Sequence, residues 1–450
     1  MELDLKLTGW IWTTINVLVY LIIIRKKPYM MVRASFSFLG FYILTLEVPA
    51  AFNYEQITSI VTEPWEFIVL VHCVPTISIP FIIMTMTKIT DRIRIRLKRV
   101  VKGETFRKEM MTLALAIGVI LAGYLLAVPW ARTGLVVAIT GSGDAIDARE
   151  QSFKLLSNPL VRYSFSIMAR IMVPALLACV VGRIVLRTGM IRFVSMAPLV
   201  LFGLIACSIY GSRGYSVIAI ITAAYVYWCY QKFDLKPKLL IFAIIGTAAV
   251  LCLPTLISLA RAGYGLDQFG DSYLNTIERS TSRNIVSTLW HVDYSQRFGH
   301  MGIAGIPKIA ALFGVEGVNA GNIVGLTYFA GRIQSINASS SFVFQYFGFF
   351  DWGFVLLIPF LILSLDVSLF LLRYVPDYLL HVAIGVNAGC SFTFAITGYT
   401  TALITNGFLL VIPVIITLAW FTRRVLTPPR HSALLESQPY LGMSSSKKRV

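Results

Sequence analysis

Apolar residues along this 450-residue chain come in long runs broken by short polar clusters. A helix needs about 20 mostly apolar residues to cross the hydrocarbon of a bilayer. Eleven runs approach that length: 8–24, 35–52, 65–86, 110–131, 160–182, 194–210, 215–231, 239–260, 350–372, 378–397 and 403–421. Inside hydrocarbon every backbone N–H and C=O must be paired within its own segment, so the pattern predicts an all-α polytopic membrane protein of about eleven transmembrane helices. The first run begins close to Met1 and ends in Arg25-Lys26-Lys27. A secretory signal carries its basic residues before the apolar core and a cleavage site after it, so this run reads as a membrane helix with the N-terminus outside.

Composition agrees. Residues of the apolar set make up 57% of the chain and charged residues 14%, against about 45–50% and about 25% in soluble domains. The formal net charge of +17 raises nucleic acid as a partner. A nucleic-acid reader needs its basic residues on one solvated face, whereas here they stand in clusters between apolar runs, so no nucleic acid is expected. Cytoplasmic loops are enriched in Lys and Arg. With the N-terminus outside, the segments 25–34, 87–109, 183–193, 232–238, 373–377 and the tail from 422 are cytoplasmic, and they hold 26 of the 39 Lys and Arg. The stretch 87–108 is the strongest marker; it reads as an orientation signal and lipid-headgroup anchor, the alternative being a partner-binding amphipathic helix. Residues 1–421 form a single transmembrane domain, and 422–450, polar, Ser-rich and basic at its end, reads as a disordered cytoplasmic tail. All six cysteines fall within predicted helices, with no disulfide framework and no zinc-type spacing.

After this partition the outer side is nearly neutral, with 13 basic and 12 acidic residues, and ten of those cations are arginine. Two outer segments, 132–159 and 261–341, are longer than connectors need to be. The second keeps Trp290, Phe298, Phe313, Tyr328 and Phe329, and its stretch 303–313 has the apolar spacing of a short amphipathic helix lying on the membrane face. It is expected to be a large, partly helical functional loop. It carries Arg261, Arg279, Arg283, Arg297 and Arg332 beside Asp267, Asp271, Glu278, Asp293 and Glu316. Outer positive charge opposes the insertion bias, and the arginine fork binds phosphate bidentately, so the set points to a pyrophosphate-bearing ligand. Pairing with the neighbouring acids to hold the loop together is the other reading. Gly211-Ser212-Arg213-Gly214 forms a tight outer turn that opens a helix with its N–H groups and Arg213 at the rim. Arg162 and Arg170 lie in the outer half of the fifth helix, where an ionisable group is functional or paired. Glu47, Glu66 and His72 are candidate counterions, and Asp366, near the cytoplasmic end of the ninth helix, reads as structural.

No GxxxxGK[ST] loop, HExxH or DxD pair occurs, so no metal or cofactor is expected and an ATP-driven mechanism is disfavoured. His291 and His300 are the loop histidines that can take a proton at neutral pH, with Asp293 and Glu278 as fallback bases.

The turn Gly211–Gly214, the large outer loop that follows, and Asn337-Ala338-Ser339-Ser340-Ser341 leading into FVFQYFGFFDWGF together resemble the Wzy-type polymerases of bacterial polysaccharide repeat units, within the O-antigen polymerase and ligase superfamily. The resemblance covers residues 194–365. It implies a GT-C-like membrane glycosyltransferase of the bacterial inner membrane, N-terminus periplasmic and C-terminus cytoplasmic. Its partners would be undecaprenyl-pyrophosphate-linked oligosaccharides, membrane lipids and a chain-length regulator protein. A hydroxyl of one lipid-linked repeat attacks the reducing-end sugar of another with inversion. By the same resemblance Arg213 matches the arginine of the family's SRG turn and Arg283 the arginine before an Ile/Trp-rich loop segment, both facing the leaving pyrophosphate. The ligases of the superfamily carry a His-Asn pair where this chain has Ile336-Asn337-Ala338, which favours polymerase over ligase. A flippase of lipid-linked glycans and a non-enzymatic assembly subunit are the readings from other classes.

Overall fold

The computed structural model describes residues 2–85, 87–97, 106–140, 142, 145–186, 191–211, 213–232, 252, 255, 268–328, 340–405 and 407–426. Eight of its helices are long and apolar enough to span a membrane: α1 (Leu5–Lys26), α2 (Ala34–Phe52), α3 (Pro64–Met84), α5 (Phe106–Ala127), α6 (Pro159–Leu186), α11 (Phe342–Leu372), α12 (Asp377–Ile396) and α13 (Thr401–Arg423). Two shorter apolar helices, α7 (Val194–Ser208) and α8 (Gly214–Tyr230), accompany them. The amphipathic α4 (Thr87–Leu97) joins α3 to α5. The long loop contributes α9 (Phe269–Phe298) and α10 (Ala320–Tyr328). No strand occurs among the described residues. The chain is an all-α, multi-pass membrane protein. Ten of the eleven apolar runs coincide with these helices; the run 239–260 lies almost wholly outside the described residues, as does the tail from 427.

The spans pack where side chains permit close approach. Gly385 and Gly389 of α12 meet α8, where a Cβ at either would run into the side chain of Val226 or Thr222. Glycine four residues apart lets two helix backbones come together, which substitutes for the hydrophobic drive that lipid cannot supply. Several polar groups inside the bundle pair with one another across helices. Arg33, at the start of α2, is buried with Asp366 of α11; Nη2 and Nε lie 2.6 and 2.7 Å from Oδ2. Ser35 gives Asp366 two further donors, its backbone N–H at 3.0 Å and its hydroxyl at 2.7 Å. Arg33 Nη1 donates to the Thr85 carbonyl at 2.9 Å, closing the end of α3. At the other end of the same helices Glu47 accepts from Asn16 at 2.7 Å and lies 2.8 Å from His72 Nδ1, linking α1, α2 and α3.

α11 is the broken span. Its first nine residues, Phe342–Phe350, are a largely buried aromatic helix; Asp351–Leu357 then tightens to a 3-10 turn before the helix resumes at Ile358. The stretch expected as one amphipathic helix over 303–313 is two short pieces, Gly302–Gly305 and Pro307–Leu312, with Leu312 and Phe313 exposed.

Removing one partner of a buried ion pair leaves an uncompensated charge at a cost of about 3–5 kcal/mol. Asp366→Leu is therefore expected to lower the detergent-solubilised melting temperature sharply, and the paired Arg33→Leu/Asp366→Leu variant to recover much of the loss. Equal destabilisation by single and double variants, in a fluorescence-detected thermal unfolding scan, would show that the pair is not what joins α2 to α11.

Candidate functional site

The site is assembled at the end of the bundle that carries the long loop. α9 has 30 residues, about 45 Å of helix at 1.5 Å per residue. Its packed face carries Ile285, Leu289 and Val292, buried against Phe342–Phe350, α10 and the short helix Tyr54–Ile60. Polar clamps fix this half. Ser340 donates to Thr288 at 3.0 Å, and Gln296 donates to Glu66 at 2.7 Å, whose other oxygen accepts from Trp352 Nε1 at 3.0 Å.

Asp293 is the centre of the clamp. Fully buried, it accepts at Oδ1 from the Thr62 N–H (3.2 Å) and hydroxyl (2.9 Å), and at Oδ2 from Tyr328 (2.5 Å) and Arg297 Nε (2.8 Å). A carboxylate with four donors has little capacity left to take a proton from a substrate, so its geometry is that of an anchor. Burial first, then the Asp293 carboxylate, push the Tyr328 phenol well above its ordinary range. Arg297 spends its charge on Asp293 from an exposed position. His291 is buried in the same packed half of the helix.

His300 differs. It follows Gly299, which ends α9 with φ 85°, and its Nε2 lies 3.8 Å from Asp351 Oδ2 with both side chains open to solvent. Asp351 holds φ 60° and ψ −163°, a region that is essentially glycine's and costs of order 1–3 kcal/mol for other residues; such strain gathers at functional sites. His300 and Asp351 thus form an accessible acid–base couple on a strained turn. Of the two loop histidines, His300 is the one with solvent access.

A second candidate region lies under the turn between α7 and α8. Gly211 takes φ 77°, and its backbone meets Gly134 of the segment 132–159 so closely that a Cβ on Gly134 would stand 2.5 Å from the Tyr210 carbonyl oxygen. The Leu135 N–H donates to the Ile209 carbonyl at 3.1 Å, so segment 132–159 is stitched to this turn. Below it α6 widens into a π-helical turn, Met168–Met172, that carries Arg170. The guanidinium sits 5.1 Å from the Tyr215 ring centroid, and Nη2 reaches the Tyr215 hydroxyl at 3.4 Å. Nε and Nη1 are buried without a hydrogen-bond partner, and among the described residues Arg170 pairs with no acid. An unneutralised cation at membrane depth marks a ligand path or a paired site. What this arrangement offers is donors and positive charge for a multivalent anion. The expected counterions are engaged elsewhere, Glu47 with His72 and Asn16, and Glu66 with Gln296 and Trp352.

Arg213 immediately precedes Gly214 at the start of α8, and Arg279 and Arg283 occupy successive turns of α9; their side chains, and all of Arg261 and Arg332, lie outside the described residues. Arg279, Arg283 and Arg297 recur at spacings of four and fourteen residues, which helical rotation brings to one side of α9. Sequence reasoning missed Asp351, Tyr215, Thr62 and Tyr328. Among the described residues no three of His, Cys, Asp and Glu converge as a metal set. Comparison with protein families, curated proteins and solved structures returns no match to this chain.

Asp293→Ala leaves the half-buried Tyr328 hydroxyl without its acceptor, at a cost of up to about 1–3 kcal/mol, and releases the exposed Thr62 to water. Faster amide hydrogen exchange over 285–298 is the expected outcome, and unchanged protection would place the clamp elsewhere. The raised Tyr328 value also sets a pH dependence. Its neutral phenol is the form that donates, so its contribution is complete below about pH 10, the ordinary tyrosine range, and is lost as pH climbs past the raised value. Protection factors over 285–298 should therefore stay flat through neutral pH and fall only in strong alkali, and Tyr328→Phe should abolish that alkaline step.

Proposed function

We propose that this protein polymerises lipid-linked oligosaccharide repeat units at the outer face of a bacterial inner membrane, as a metal-independent inverting glycosyltransferase of the GT-C-like kind. The observation that carries this reading is the guanidinium of Arg170 beneath the Gly211–Gly214 turn, which touches Tyr215 through Nη2 while its buried Nε and Nη1 have no partner. It lies in the part of the chain adjoining the segment that resembles the Wzy-type polymerases, and it offers a pyrophosphate what a metal-free site must supply, fixed positive charge where negative charge develops. Eleven spans with a periplasmic N-terminus belong to the same reading.

In the proposed reaction an acceptor hydroxyl oxygen bonds to the anomeric carbon of the donor's reducing-end sugar from the face opposite the leaving group. The anomeric carbon–oxygen bond to undecaprenyl pyrophosphate breaks, and its electron pair goes to the pyrophosphate. Arg170, Arg213 and Arg283 stabilise that leaving anion, with Arg261, Arg279, Arg297 and Arg332 as further substrate contacts. The hydroxyl proton goes to His300, which lies near Asp351, and His291 and Asp293 serve as structural members of the loop. A separate protein would set chain length.

Deletion of the gene is expected to leave single-repeat glycan on a surface-polysaccharide gel; loss of all surface glycan would point instead to a flippase. Complementation with Arg170→Ala, Arg213→Ala or Arg283→Ala should give no chain extension at normal membrane levels of protein, and lysine at these positions should rescue little, because it lacks the bidentate fork. Wild-type chain lengths in all three alanine variants would sink the assignment. Purified protein with a defined lipid-linked repeat should work in the presence of chelator.

A further inference from the structure

At the end of the bundle opposite the long loop, α1, α6 and α8 finish, and α5 and α12 begin, around a cavity of about 320 Å³. Chain direction fixes its position: α9 is clamped to Thr62 and Glu66, just before and at the start of α3, whereas the cavity is lined from Lys26 at the finish of α1 and from Arg94 on α4, beyond the far end of α3. Its volume is at the low end of small-molecule sites, about 300–1,000 Å³.

The lining has two parts. Leu97, Phe106 and Leu186 make an apolar wall, closed by Tyr230 stacked on His381 with ring centroids 4.3 Å apart. The rim is cationic, with Lys26, Arg94 and Lys232. Lys232 is held there by a backbone with φ 57°, its N–H donating to the Cys229 carbonyl at 3.0 Å as α8 ends. Arg94 lies 5.0 Å from the Tyr29 ring centroid and 3.8 Å from the exposed carboxylate of Asp91. Among the described lining residues the one acid, Asp377, is already taken by Arg96, whose Nη2 and Nε lie 2.6 and 2.7 Å from Oδ1. Behind Tyr378, Glu109 accepts its hydroxyl and faces Arg423. Among the described residues neither Lys26 nor Lys232 pairs with an acid, so the rim carries net positive charge over an apolar pocket at the membrane boundary.

We propose that this cavity is a binding site for an anionic phospholipid of the facing leaflet, its phosphate held by Lys26, Arg94 and Lys232 and the first part of a chain lying on Leu97, Phe106 and Leu186. Charge and apolar wall are both needed: a cationic rim alone would suit any anion, and an apolar wall alone any lipid. Basic pockets between membrane helices on the cytoplasmic side bind acidic headgroups in this manner. The site is separate from the proposed pyrophosphate site and does not depend on that assignment.

Full-length protein in nanodiscs, titrated with phosphatidylglycerol or phosphatidylethanolamine and read by native mass spectrometry, tests it. Phosphatidylglycerol should bind preferentially at one site. Each basic residue near a membrane surface strengthens acidic-lipid binding about five-fold, so Lys26→Gln/Lys232→Gln should weaken it about thirty-fold. Leu97→Trp, which fills the pocket and leaves every charge in place, should also remove the bound lipid; melting temperature and monodisperse elution verify folding of both variants. Equal retention of the two lipids, or undiminished phosphatidylglycerol binding in the folded variants, would overturn the proposal. Saturation by inorganic phosphate with no preference for the lipid would overturn it too, because the ligand would then be the free anion.

Discussion

A polar group in hydrocarbon must find its partner inside the protein, and the fold is arranged by that requirement. Backbone groups meet it by forming helices. Side chains meet it by joining helices, so that each buried polar contact is also a decision about which spans are neighbours. Arg33 and Asp366 bring the second span to one near the other end of the chain, and Asn16, Glu47 and His72 tie the first three together. Several uncharged or acidic groups also keep a buried atom without a partner, but among the described residues Arg170 is the cation that does, with two donors unspent. The same requirement that assembles the bundle makes that guanidinium the place where an anion has most to gain.

Run length and hydropathy made ten of the eleven predicted helices legible, because a bilayer reads those quantities and little else. The exception in detail is α11, which begins at Phe342, eight residues ahead of the expected 350. Gln345 and the aromatic run before Asp351 form a buried helix of their own, and a break at a residue of unusual backbone has no hydropathy signature. Within the site, the Asp293–Arg297 pairing was visible in principle as an i, i+4 spacing. That Thr62 and Tyr328 also converge on Asp293 was not, since those contacts span 231 and 35 residues of chain. The assignment of Glu47 and Glu66 as counterions to Arg162 and Arg170 erred for the same reason. Membrane depth gave the right layer, but lateral position within a layer is set by packing that no local pattern encodes.

The two ends of the bundle use arginine and lysine differently. At the loop-bearing end two arginines are drawn into specific geometry, Arg297 on Asp293 and Arg170 on Tyr215. At the opposite end Arg96 also acts as a cap, reaching the carbonyls of Leu372 at 3.0 Å and Arg373 at 3.2 Å where α11 ends, while the lysines stay solvated. Planar forks organise the protein, and compact ammonium groups face the lipid boundary.

The π-helical turns in α2 and α6 each contain one residue more than an α-helical path would. A one-residue deletion beside either would let the span revert to a regular helix without interrupting its hydrogen bonds. The wide turn absorbs the extra residue, so the flanking turns would keep their facing while the local widening is lost. In α6 that widening carries Arg170 beside Tyr215, so the length of this segment matters there even though its composition, as a membrane helix, is less constrained.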